Sequence, residues 1–87
     1  MSVIGAELGE LHTLTASFNR QSGAVETLMS ELSAQLHNTY WQGGAAERFR
    51  SAWETEYQPA LRGLASALVD ASDEVRRRAD ALHAAGA

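Results

Sequence analysis

The sequence predicts an all-α fold: an antiparallel two-helix hairpin that dimerises into a four-helix bundle. Three observations carry this. Apolar residues recur in steps of four and three along both halves of the 87-residue chain. The chain has one Pro and no Cys, so little interrupts a helix and no disulfide framework is possible. A Trp-Gln-Gly-Gly stretch, residues 41–44, separates the two halves. With 45% apolar and 21% charged residues, the composition is that of one small folded domain, residues 1–87.

The first helix is expected over about residues 3–38. Its main row is Ile4, Leu8, Leu11, Thr15, Phe18, Ser22, Val25, Met29, Leu32 and Leu36, with Thr15 and Ser22 as interruptions. Beside it runs a second row: Leu14, Phe18, Gln21, Val25, Leu28 and Leu32. Glu10, Thr13, Arg20, Thr27 and Glu31 form the wet face. Gly23 weakens the middle by roughly 1 kcal/mol relative to Ala. The rows stay in phase across it, so the helix is expected to continue.

A turn is expected over residues 39–44. Asn38 suits a chain reversal, and Gly43 and Gly44 tolerate positive φ and close approach. Trp41 is placed at the bend, as a plug over the open end of the helix pair.

The second helix is expected over about residues 45–84. One row is Phe49, Trp53, Tyr57, Ala60, Leu64, Ala67 and Ala71; its neighbour is Leu61, Ala65, Leu68, Ser72, Val75, Ala79 and Leu82. Pro59 removes a backbone hydrogen bond and crowds the preceding turn, at a cost of ~3 kcal/mol. The helix is expected to kink or break there. Since the apolar phase reads as continuous across Pro59, a kink is the preferred expectation.

The tally of rows has a consequence. Each helix is ~55 Å long by the helical rise and touches one neighbour in the hairpin. One row per helix is buried there, and the other is left as an apolar strip above the few hundred Å² that monomers expose. The second rows therefore predict a partner, and a second hairpin docked face to face gives a four-helix bundle. Leu11, Leu14, Phe18, Val25, Leu28, Leu32, Leu61, Leu64, Leu68 and Val75 are the candidate hairpin and dimer interface.

Other function classes find little support. The net charge of −4 argues against nucleic acid. No apolar run approaches the ~20 residues of a membrane span. The start, MSVIGAELGE, lacks the basic and apolar regions of a general secretory signal peptide. His12, His37 and His83 show no ligand spacing, and no metal or cofactor is expected. Glu54, Glu56, Asp70, Asp73 and Glu74 fall mostly on a wet face without a pocket to shift a pKa, so no catalytic residues are expected. Arg76-Arg77-Arg78 is ringed by acids at helical spacing and reads as a solvated face with local ion pairs.

A central Trp41-X-Gly43 between two cysteine-free amphipathic helices, followed by Ala45-Ala46, Phe49 and Trp53, resembles the Trp-X-Gly (WXG) superfamily. These are the small ESAT/Esx-like substrates of type VII secretion in actinobacteria and Gram-positive bacteria. Leu61, Leu64 and Leu68 match its later apolar positions, and the resemblance covers nearly the whole chain. It implies a non-enzymatic protein secreted as a folded dimer, often a heterodimer of related hairpins, without a cleaved signal peptide and cytoplasmic before export. It also implies a composite export signal, in which Trp41 and Gly43 of one subunit lie near a C-terminal Tyr-X-X-X-Asp/Glu motif of the other. Phe49 and Trp53 would extend the turn into an aromatic patch at the bundle end.

The sequence departs from that pattern at the C-terminal motif. Asp80 matches the acid, but Arg76 stands where the Tyr should be. The expectation is that this chain supplies the turn and a related partner supplies the tyrosine motif that engages the export ATPase. A heterodimer is thus expected ahead of a homodimer. Two alternatives stand beside this: a homodimeric adaptor bundle that is not exported, and a membrane-active helical protein. The acidic balance disfavours the latter.

Overall fold

The computed structural model describes residues 3–86. It is a rod of 64 × 18 × 12 Å, one helix diameter deep. Helix α1 spans Val3–Asn38, α2 spans Gly44–Ala52, a π-helical turn follows at Trp53–Tyr57, and α3 runs over Gln58–Gly86. The π turn joins α2 to α3 without a break in helical hydrogen bonding, so the second arm is one rod lying antiparallel to α1.

Small residues set the seam between the arms. Among the described residues the buried ones are Ala46, Ala65, Ala79, Ser22 and Ser72. Ser22 donates its hydroxyl to the Ala65 carbonyl at 2.7 Å, and Ser72 donates to the Thr15 carbonyl at 3.2 Å. A side-chain hydroxyl reaches the opposite backbone only when two helices approach closely. Thr15 and Ser22, read in the sequence as interruptions of the apolar row, are therefore points where the arms are pinned together. Both pairs of positions sum to 87, which fixes one register along the hairpin. Half-buried Leu11, Phe18, Val25, Leu61, Leu68 and Val75 fill the seam between the small residues.

Pro59 does not end the helix, and the second arm does not keep one phase across it. An α-turn before the proline would press the carbonyl of residue 55 against the ring. Instead, the N–H of Gln58 donates to the Trp53 carbonyl five residues back, the wider spacing of a π turn. The extra residue shifts the phase. In α3 the seam row is Leu61, Ala65, Leu68, Ser72, Val75, Ala79 and Leu82; before the π turn it is Ala46, Arg50 and Trp53. The continuous stripe from Phe49 to Ala71 expected from the sequence is thus divided. Trp53 turns towards α1, while Phe49, Tyr57 and Leu64 stay exposed.

The shifted geometry is locked by one serine. Ser33 Oγ of α1 accepts from Trp53 Nε1 at 2.9 Å and from Gln58 Nε2 at 2.7 Å. Residues five apart on an α-helix point about 140° apart. The π turn brings both onto the face that meets α1.

Two substitutions test this packing. Ala65→Leu puts four carbons where Ser22 meets the backbone, and is expected to destabilise by about 1–3 kcal/mol. Gly23→Ala, whose added methyl meets nothing within 4 Å, is expected to stabilise by roughly 0.5–1 kcal/mol. Thermal unfolding followed by circular dichroism reads both.

Candidate functional site

Two features stand out from the rod: an open apolar face and the turn. Leu14, Leu28 and Leu32 of α1, Phe49 of α2, Tyr57 of the π turn and Leu64 of α3 are all more than two-fifths exposed. Leu32 and Leu36 line a shallow cleft with Phe49 and Trp53, which puts the α1 row and the aromatic row on the same side of the hairpin. The opposite side has a different character. There a cleft is lined by Ser22, Glu26, Met29, Ser30, Arg62, Ala65, Ser66 and Val69. Leu28 and Leu64 project about 160° away from Glu26 and Arg62 on their helices by the 100° step per residue. The hairpin is therefore two-faced, with Val69 the exposed large apolar residue on the polar side.

At the turn, Gly43 has φ 106° and ψ 179°. This region is open to glycine almost alone. The carbonyl of Gly43 then accepts from the Glu47 N–H at 3.1 Å, starting α2, and Glu47 places its carboxylate in the first turn, where the helix dipole favours an anion. Gly44 has no such backbone requirement; an added Cβ there meets the tip of Arg48 at 3.1 Å. On the other side, Thr39 closes α1. Its N–H donates to the Leu36 carbonyl at 3.3 Å and its hydroxyl to the Gln35 carbonyl at 2.6 Å.

The aromatic residues form a ladder leading out of the turn. Ring centroids of Trp41 and Phe49 lie 5.7 Å apart, those of Phe49 and Tyr57 6.0 Å apart, and those of Trp53 and Tyr57 6.3 Å apart, all tilted. Such geometries suit the ring quadrupoles. Trp41 remains 40% exposed, a solvent-facing ring braced from behind by Phe49. Tyr40 beside it is exposed as well.

The C-terminal candidates sit elsewhere. Arg76 and Asp80 are both exposed, on α3 roughly 50 Å from the turn by helical rise. Arg76 pairs with Asp73 at 3.3 Å and Arg78 with Glu74 at 3.3 Å. No ion pair joins Arg76 to Asp80, and the arrangement is a solvated face worth a few tenths of a kcal/mol per pair. One chain does not bring Arg76 or Asp80 near Trp41.

Sequence reasoning passed over Arg50. Its guanidinium donates to the Trp41 carbonyl at 2.8 Å and to the Thr39 carbonyl at 3.1 Å. Among the described residues, no three His, Cys, Asp or Glu side chains gather as metal ligands, and no helix is long and apolar enough to cross a membrane.

The two glycines of the turn are expected to respond differently to the same change. Gly43→Ala forces a side chain into a region closed to it and should cost about 1–3 kcal/mol. Gly44→Ala needs only a shift of the flexible Arg48 tip and should cost less than 1 kcal/mol. Chemical unfolding of both variants gives the comparison.

A family profile described as WXG100, proteins of 100 residues with WXG, matches residues 4–87. No curated protein and no solved structure matches the chain. The matched residues span both arms and the turn, which holds the Trp-X-Gly triplet Trp41-Gln42-Gly43. The chain belongs to the WXG100 family, whose members are small helical proteins associated with type VII secretion.

Proposed function

We propose that this protein is a non-enzymatic type VII secretion substrate, exported as a folded pair with a related hairpin that covers its open apolar face. The observation that carries the reading is the one-sided exposure of Leu14, Leu28, Leu32, Phe49, Tyr57 and Leu64 on a rod 12 Å deep. Burying this surface contributes about 25 cal/mol per Å² before ordering costs. A second hairpin of the same length covers it end to end and gives helix-on-helix packing on all sides of a common core.

Export follows from the same assembly. The exposed Trp41 and the glycine turn form one half of the signal. This chain carries Arg76 where the C-terminal motif needs tyrosine, so the partner supplies that half and the contact with the export ATPase. The paired proteins leave the cytoplasm as one folded unit.

A second copy of this chain is the competing occupant, for a specific reason. The α1 row Leu14, Phe18, Gln21, Val25, Leu28, Leu32 has steps of four, three, four, three, four. It reads the same in both directions and meets its own copy in antiparallel register. Such a homodimer would carry two turns and no tyrosine motif, and fits an adaptor bundle that stays in the cell.

The double variant Leu28→Glu/Leu64→Glu is expected to abolish association with a co-expressed hairpin while leaving α-helical circular dichroism in place. Light scattering coupled to size-exclusion chromatography distinguishes a monomer, a homodimer and a mixed pair by mass. An unpartnered monomer at high micromolar concentration would overturn the pairing. Trp41→Arg is expected to preserve helix content and to prevent appearance in culture filtrate. Wild-type secretion of that variant would remove the turn from the signal.

A further inference from the structure

We propose that Arg50 is a positioning residue for recognition of the turn: its guanidinium clamps the loop so that the Trp41 indole is presented in one orientation. This rests on the reading above, in which Trp41 is a recognition element.

The chain between Asn38 and Gly44 has few fixed points. Its residues lie outside the regular helices, and the backbone bonds that bound it, at Thr39 and at Glu47, leave residues 40–42 between them. Arg50 spans that gap. One terminal nitrogen donates to the Trp41 carbonyl at 2.8 Å and the other to the Thr39 carbonyl at 3.1 Å. The fork of two nitrogens suits a pair of acceptors two residues apart, which a single ammonium does not match. Arg50 is itself half-buried on the seam side of α2, so the clamp is anchored to the helix pair.

The choice of partners is informative. Glu54 lies one turn further along the helix and lines the same cleft, together with His37 and Ser33. An arginine four residues before a glutamate ordinarily has an ion pair within reach. Here the guanidinium bonds the two loop carbonyls, and no ion pair joins it to Glu54. Charge-assisted bonds of this kind are stronger than neutral ones. With the Trp41 carbonyl fixed from one side and its ring braced by Phe49 at 5.7 Å from the other, the indole stays exposed yet oriented. A receptor that binds a preset aromatic group is spared the cost of ordering it.

The test uses Arg50→Lys and Arg50→Gln in the full chain with its export system, next to Trp41→Arg. Both Arg50 variants are expected to keep helix content and pairing, to lower the backbone order parameters of residues 40–42 in nitrogen relaxation, and to lose about ten-fold in secreted protein. Arg50→Lys retains the charge, so its failure to restore secretion separates the forked geometry from simple electrostatics. Two results would overturn the inference: unchanged order parameters at the turn, or wild-type secretion of both Arg50 variants while Trp41→Arg is retained in the cell. If Trp41→Arg is itself secreted normally, the recognition role of the turn falls instead, and the order parameters still report whether the clamp exists.

Discussion

Two helices laid side by side can bury only what stands between them. In this hairpin the fully enclosed positions belong to Ala and Ser, and hydroxyls of one arm reach the backbone of the other. That close approach leaves no room for leucines inside. Larger apolar side chains are displaced to the flanks, half-covered at Leu11 or Leu68 and open at Leu28 or Leu64. The seam thus creates the exposed face. Widening it to enclose the leucines would break the serine bonds that fix the register, so tight pairing within the chain and an unfilled surface outside it come from the same packing choice.

The alternation of four and three made both arms and the surplus apolar row legible in the sequence, and the short turn between the arms made their antiparallel arrangement legible. What periodicity could not reveal was the phase shift before Pro59. The seam row of α3, followed backwards from Gln58 in α-helical steps, reaches Glu54, Ser51 and Glu47. The π turn replaces these with Trp53, Arg50 and Ala46. An extra residue at that point spares the hairpin two buried carboxylates, each of which would need a partner or a large pKa shift. The signal was present as two apolar rows offset by one residue across the proline. Trp53 fits the extrapolation of the exposed row as well as the true seam, and so it made a single stripe look continuous.

The turn was legible in part for a similar reason. A Gly two residues after an aromatic at a reversal points to a backbone need, and the positive φ at Gly43 supplies it. The identity of the glycine that matters, Gly43 and not Gly44, depends on backbone angles that composition does not encode. Arg50 was invisible because its partners are main-chain carbonyls. An ion pair announces itself by two complementary residues at helical spacing, whereas a bond to the backbone leaves one residue and no pattern. Arginine at position 50 followed by glutamate at 54 even offered a false pattern.

Geometry also limits how a composite signal can be built. Trp41 lies at one end of the rod, and position 80 is roughly 50 Å away along α3. The rod extends 64 Å and is only 18 Å across, which holds its two ends far apart. A recognition surface that needs both a Trp-X-Gly turn and a residue from the C-terminal segment therefore cannot form within a single chain. It can form where a second hairpin runs the opposite way along the open face, because that arrangement sets the end of one chain beside the turn of the next. The surface that shields the leucines and the surface proposed to be read for export would then arise in one docking step, making assembly a precondition for recognition.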